Sequence, residues 1–89
     1  MPTLHIIVKG RVQGVFFRAS AQEAAETCGV KGWVRNTEEG DVELMATGTE
    51  EALKKLVDWC HQGPRRAEVS EVITERREEE SFAGFKVLR

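Results

Sequence analysis

A glycine-punctuated turn near the start of the chain carries residues that could bind an anion. The stretch reads Gly10-Arg11-Val12-Gln13-Gly14-Val15-Phe16-Phe17-Arg18. It joins an apolar alternating run, residues 4–9, to an alanine-rich run, residues 19–28, so it is predicted to link a strand to a helix N-terminus. Glycines let backbone N–H groups converge, and a helix N-terminus adds unpaired N–H groups and the positive end of its dipole. The stretch therefore predicts an anion cradle that suits phosphate.

Two side chains decide which chemistry such a cradle could support. Arg18 stands where the helix begins, and a guanidinium forks onto phosphate oxygens and stabilises charge that grows during phosphoryl transfer. Asn36 follows a second strand-like run, and its amide can donate to a substrate oxygen while its carbonyl aims a water molecule. Neither is a general base. These groups suit an already activated substrate, such as a mixed anhydride of a carboxylate and a phosphate, whose own phosphate takes the proton of the water.

The rest of the chain alternates between strand-like and helix-like patterns. In chain order the sequence predicts a strand over 3–9, a helix over 18–28, strands over 30–37 and 41–47, a helix between Thr49 and Gly63, a strand over 67–75 and a short closing strand within 82–88. The apolar residues of the 67–75 strand change phase, which indicates a bulge near Ser70. The charged residues 76–80 are predicted to form a solvated loop.

This element order, β-α-β-β-α-β plus a short closing strand, is typical of the ferredoxin-like sandwich. We therefore expect an α+β fold in which two antiparallel helices cover one face of a mainly antiparallel sheet, in a single domain over residues 1–89. In that topology the first two strands run parallel, so their C-terminal ends meet at one edge of the sheet. Arg18 and Asn36, although 18 residues apart, are then expected to face one small ligand.

At these residues the chain resembles the acylphosphatase family. The resemblance is carried by the Gly10–Arg18 stretch and by Gly32-Trp33-Val34-Arg35-Asn36, and it continues through the Gly63-Pro64 stop and the Gly84-Phe85 closing segment. It implies hydrolysis of small acyl phosphates to a carboxylate and inorganic phosphate. It also implies that neither a metal, a cofactor nor a phosphoenzyme takes part.

The resemblance also assigns site residues. Arg18 and Asn36 are the implied catalytic residues, Arg18 binding the phosphate and Asn36 positioning the attacking water. The implied phosphate-binding residues are consecutive: Gln13, Gly14, Val15, Phe16, Phe17 and Arg18. For Gln13 we expect the backbone, rather than the side chain, to contribute.

Two other functions are compatible with parts of the pattern. Acylphosphatase-like domains also occur within larger enzymes, so a non-catalytic module that binds phosphate or carbamoyl phosphate is the alternative. A chain that begins and ends with the domain favours the free enzyme. The RNA-recognition motif shares the element order, but it needs basic and aromatic residues on its third strand, where this chain has Asp41-Val42-Glu43-Leu44-Met45-Ala46.

Composition limits the partners. A net charge of −2 argues against nucleic-acid binding, and no apolar run is long enough for a membrane span or a signal peptide. We therefore expect a cytoplasmic protein without nucleic-acid or membrane partners, and a monomer. Cys28 and Cys60 fall on the apolar faces of the two predicted helices, at opposite ends of the layer, so we expect two reduced thiols rather than a disulfide.

Overall fold

A computed structural model describes all residues, 1–89, and contains five strands and two helices. The elements are β1 (Thr3–Arg11), α1 (Phe17–Cys28), β2 (Lys31–Asn36), β3 (Val42–Thr47), α2 (Glu50–Gln62), β4 (Glu68–Arg77) and β5 (Phe85–Val87). The strands form one sheet in the order β4-β1-β3-β2-β5, in which β2 and β5 pair parallel and all other neighbours pair antiparallel. The predicted ferredoxin-like α+β fold is thereby confirmed.

The core lies between the helices and one face of the sheet. Alternate residues of the three central strands are completely buried there: Ile6, Val8, Val34, Val42, Leu44 and Ala46. The helices contribute Ala21 and Ala25 from α1 and Leu53, Leu56 and Cys60 from α2. The small alanine side chains let α1 lie close to the sheet, as their spacing predicts.

The predicted helix boundaries are confirmed by the caps. The Thr49 hydroxyl accepts a hydrogen bond from the Ala52 N–H at 3.1 Å, which stabilises the start of α2. Gly29 adopts a left-handed conformation and its N–H bonds back to the carbonyls of Ala25 and Glu26, which ends α1. The start of α2 and the end of α1 are therefore each fixed by a cap.

The structure corrects the expected end of the fourth strand. Arg76 and Arg77, predicted to begin a loop, continue β4 and pair with Leu4 and Thr3 of β1. They stay in the strand because β1 offers pairing positions as far as Thr3, and charged side chains are well tolerated on an edge strand. The predicted bulge is confirmed: the register passes from Lys9–Glu71 to Gly10–Val69, which leaves Ser70 as the extra residue.

The closing strand is shorter than the sequence pattern indicates. Only Phe85–Val87 pair with β2, so Phe82 and Leu88 lie outside the strand. Phe85 is nevertheless buried and adds aromatic volume to the core. The chain continues past β5 with a hydrogen bond from the Leu88 N–H to the Val34 carbonyl at 2.8 Å, so the last residues stay against the edge of β2.

The two cysteines are both free thiols. Cys60 is completely buried, and burial raises the pKa of its thiol to about 12. It therefore behaves as a small apolar core residue. Neither helix is long and apolar enough to cross a membrane.

Candidate active site

The turn after β1 and the end of β2 meet at one edge of the sheet. Both strands pair antiparallel with β3, so they run in the same direction and their C-terminal ends coincide. A cavity of about 330 Å³ opens at this edge, and Arg18 and Asn36 both line it. The strand topology therefore brings these two residues together, as the sequence predicted.

The sequence-predicted phosphate residues divide into two groups. Gly14, Phe16, Phe17 and Arg18 line the cavity. Val15 instead packs against the core, and the side chain of Gln13 turns away toward the β2–β3 hairpin. One side of the cavity is therefore formed by the second half of the turn and the first residues of α1.

The backbone conformation of the turn explains how it opens toward the cavity. Gly14 has a φ of 75° and Phe16 a φ of 63°, both in the left-handed region. Phe16 occupies the N-cap of α1 with no side-chain cap, and its carbonyl accepts the Ser20 N–H at 3.0 Å. The first N–H groups of the helix thus keep no side-chain partner, as an anion site at a helix N-terminus requires.

Gly10 has a different role from the one its place in the motif indicates. It belongs to β1, not to the turn, and lies at the bulge in the pairing with β4. A Cβ atom at Gly10 would overlap the carbonyl oxygen of Glu68. The glycine is needed there because the two backbones approach closely. Of the two glycines in the motif, Gly14 is the one that lies in the cradle turn.

Phe17 anchors the cradle to the helix layer. Its side chain is 2% exposed and meets the ring of Trp59 on α2 edge-to-face, with the ring centroids 5.2 Å apart. Such a pair adds attraction beyond simple burial. The start of α1 is therefore held by the core, which limits movement of the N–H groups next to the cavity.

Arg18 is restrained by the end of the chain. Its Nη1 atom donates to the Leu88 carbonyl at 3.1 Å, and the Leu88 N–H is itself bonded to β2. Arg89, in the same segment, also lines the cavity. The sequence analysis missed Leu88 and Arg89 because neither belongs to a motif; only the fold places the last residues beside the turn.

The side chain of Gln13 has a structural role that the sequence analysis did not predict. Its Nε2 atom donates to the carbonyls of Thr37 and Asp41, both at 2.8 Å. These acceptors lie in the hairpin that directly follows Asn36. The Gln13 side chain therefore joins the cradle turn to the segment that carries Asn36.

Replacing Gln13 by alanine is expected to lower the free energy of unfolding by about 1–3 kcal/mol, because two hydrogen bonds are lost. Urea unfolding followed by circular dichroism measures the change. Gln62→Ala is the matched control, since Gln62 is exposed at the end of α2 and its replacement is expected to change the free energy by less than about 0.5 kcal/mol. Equal stability of the two variants would contradict the bridging role.

The charges around the cavity favour an anion. Asp41, in the hairpin, forms an ion pair with Lys9 at 2.9 Å, and its hydrogen bond and charge raise the pKa of Lys9. This carboxylate is thereby neutralised, while the charged side chains that line the cavity are Arg18 and Arg89. The described residues contain no group of three or more His, Cys, Asp or Glu side chains placed to hold a metal ion.

The fold is a split βαβ sandwich in which a helix N-terminus, the Arg18 guanidinium and the Asn36 amide surround one small cavity. These features define a class of domain that acts on phosphorylated small molecules. The chain belongs to the acylphosphatase family, whose model matches residues 4–87. It is 50% identical over 86 residues to an acylphosphatase of Pseudomonas paraeruginosa, covering 97% of this chain and 94% of the relative. It is 47% identical over 85 residues to an acylphosphatase of Haloquadratum walsbyi, covering 96% and 91%.

Solved structures agree with the family. An acylphosphatase from Coxiella burnetii is 41% identical and superposes with a TM-score of 0.95, over 98% of this chain and 92% of that one. An acylphosphatase from Bacillus subtilis is 34% identical with a TM-score of 0.96, over the full length of both chains. The resemblance noted in the sequence is thereby confirmed.

Proposed function

We propose that this chain hydrolyses small acyl phosphates to a carboxylate and inorganic phosphate in the cavity between the start of α1 and the end of β2. Membership of the acylphosphatase family supports the reaction. The observation that carries the assignment to this site is that Arg18 and Asn36 line one cavity beside the helix N-terminus. The residue roles follow from the chemistry of these groups.

The phosphate group is proposed to bind against the backbone N–H groups of Gln13–Phe17 and the first turn of α1. Arg18 forks onto its oxygens, and the Leu88 carbonyl, which accepts a hydrogen bond from Nη1, fixes the direction of the guanidinium. Because the donors are positioned before the substrate arrives, they stabilise the charge that grows on the phosphoryl oxygens without further reorganisation.

Asn36 is proposed to direct the attacking water. Its carbonyl oxygen accepts a hydrogen bond from the water and its amide donates to a phosphoryl oxygen. The water oxygen forms a bond to phosphorus while the bond from phosphorus to the acyl oxygen breaks, and that electron pair leaves with the carboxylate. The proton of the water passes to a phosphate oxygen, so the chain needs no general base, metal or cofactor.

The enzyme is proposed to be a cytoplasmic monomer with a single domain over residues 1–89. The two free thiols are typical of a reducing compartment. The substrate is its only proposed partner, with no part for nucleic acid or membrane.

Hydrolysis of benzoyl phosphate tests the proposal directly. The purified chain, assayed in EDTA, is expected to release phosphate well above the uncatalysed rate, and inorganic phosphate is expected to inhibit competitively. Absence of turnover would refute the enzyme assignment. Calorimetry with inorganic phosphate separates the two ways this could happen, because binding without turnover would indicate the non-catalytic module instead.

A further inference from the structure

We infer that the side chain of Phe16 forms a binding surface for the acyl group of the substrate and favours aromatic over small acyl groups. The inference rests on the proposed acyl phosphate hydrolysis. Phe16 is 78% exposed, more than any other large apolar residue of the chain. Single exposed apolar residues are common on protein surfaces, so exposure alone assigns no role.

The backbone of Phe16 adds an independent observation. With a φ of 63°, it is the one residue other than glycine that adopts a positive φ. Glycine or asparagine takes this conformation at lower cost than an aromatic residue. The ring is not part of the core cluster and does not cap the helix. An aromatic residue is thus held in a strained conformation without a packing or capping role, and strain of this kind marks functional sites.

The position of Phe16 indicates what its ring meets. Phe16 lines the same cavity as Arg18 and Asn36 and lies within the segment whose backbone N–H groups are proposed to bind phosphate. In an acyl phosphate, the acyl carbon is joined to phosphorus through a single oxygen. When the phosphate lies in the cradle, the acyl group must therefore lie close by, toward the open side of the cavity where the exposed ring stands.

The remainder of the opening can accept an apolar group. Val87 also lines the cavity, and so does Arg89, whose methylene groups can cover an apolar surface while the guanidinium stays in water. A cavity of about 330 Å³ is at the small end of ligand sites. A flat aromatic acyl group can stack on the Phe16 ring or meet its edge, whereas an acetyl group offers much less contact.

The experiment compares kcat/KM for benzoyl phosphate with kcat/KM for acetyl phosphate. Phe16→Asn removes the ring but tolerates the left-handed conformation, and Phe16→Trp keeps an aromatic surface. The benzoyl-to-acetyl ratio is expected to fall at least about threefold in Phe16→Asn and to persist in Phe16→Trp. Effects on the cradle cancel in the ratio because both substrates share the phosphate. Ile73→Asn is the matched control: Ile73 is also exposed but lies on β4, outside the cavity, and the ratio is expected to stay the same.

An unchanged ratio in Phe16→Asn would overturn the inference. So would an equal loss in Phe16→Trp, because the loop conformation rather than the ring would then decide. Phe16→Gly, which suits the same φ, replaces the asparagine variant if that protein does not fold. Binding of phenylphosphonate against methylphosphonate gives the same comparison without turnover. Failure of the proposed function would give a different result, because the wild type would then hydrolyse neither substrate. The phosphonate comparison would still test the role of Phe16 in that case, because it does not depend on turnover.

Discussion

Replacing Arg18 by alanine is expected to lower kcat/KM for benzoyl phosphate on the order of 10²-fold or more. The guanidinium lines the cavity and is oriented by its hydrogen bond to the Leu88 carbonyl. Two of its N–H groups can therefore meet two phosphoryl oxygens at no further cost in side-chain ordering. The loss is expected mainly in kcat, since the charge on these oxygens grows as the reaction proceeds.

The loss cannot be explained by unfolding. Arg18 lies in the first turn of α1, where a cation interacts unfavourably with the helix dipole by about 0.3–1 kcal/mol. Its hydrogen bond to Leu88 is exposed and contributes about 0.5–1.5 kcal/mol. The two effects offset one another, so Arg18→Ala is expected to keep a native circular dichroism spectrum and a nearly unchanged midpoint of thermal unfolding.

Two further variants sharpen the test. Arg18→Lys keeps the charge but lacks the fork, and its kcat/KM is expected to fall between those of wild type and Arg18→Ala. Arg76→Ala removes the same charge at the opposite end of β1, where Arg76 forms an exposed ion pair with Glu50, and it is expected to change kcat/KM by less than about twofold. If Arg18→Ala kept more than about a tenth of the wild-type kcat/KM, Arg18 would not have the proposed role.

The strand pairing explains why the main features of the site are visible in the sequence. Periodicity alone places strands before Arg18 and at Asn36, and the connection rules for a βαβ unit then require the two strands to run parallel. The structure shows that they do, with β3 between them. The convergence of Arg18 and Asn36 is therefore a consequence of the strand topology, and the order of helices and strands along the chain predicts that topology.

The features that the sequence analysis missed depend on contacts between distant residues. Gln13 reaches carbonyls 24 and 28 positions away, and Arg18 reaches one 70 positions away. Periodicity reports which face of an element is buried, but not which backbone group a polar side chain will meet. Gln13 in a glycine turn therefore looks like an ordinary turn residue until the hairpin beside it is placed.

The error at Arg76 and Arg77 has a related cause. A run of charged residues has the composition of a loop, and nothing local distinguishes it from an edge strand. What keeps these residues in β4 is the length of β1, which pairs with them as far as Thr3. Gly10 is similar: its neighbours in the motif indicate a turn, whereas the close approach of β4 explains the glycine. In both cases the partner strand, not the residue itself, decides the structure.

Replacing Asn36 by alanine is expected to lower kcat for benzoyl phosphate on the order of 10²-fold, with a smaller effect on KM. Asn36 is the last residue of β2, lines the cavity and is held in place on one side by the hairpin that Gln13 binds. A water that is no longer aimed at phosphorus reacts from fewer productive orientations, which lowers the rate of the chemical step. Phosphate binding depends mainly on the cradle and Arg18, so inhibition by inorganic phosphate is expected to remain.

Asn36→Asp separates the two functions of the amide. A carboxylate of the same shape still accepts a hydrogen bond from water, but it cannot donate to a phosphoryl oxygen and it repels the substrate dianion. It is therefore expected to raise KM and weaken phosphate inhibition, unlike the alanine variant. Glu39→Ala is the control, since Glu39 is exposed in the same hairpin, outside this cavity, and kcat should change by less than about twofold. If Asn36→Ala kept nearly full activity, Asn36 would not position the attacking water, and the reaction would then depend on the cradle and Arg18 alone.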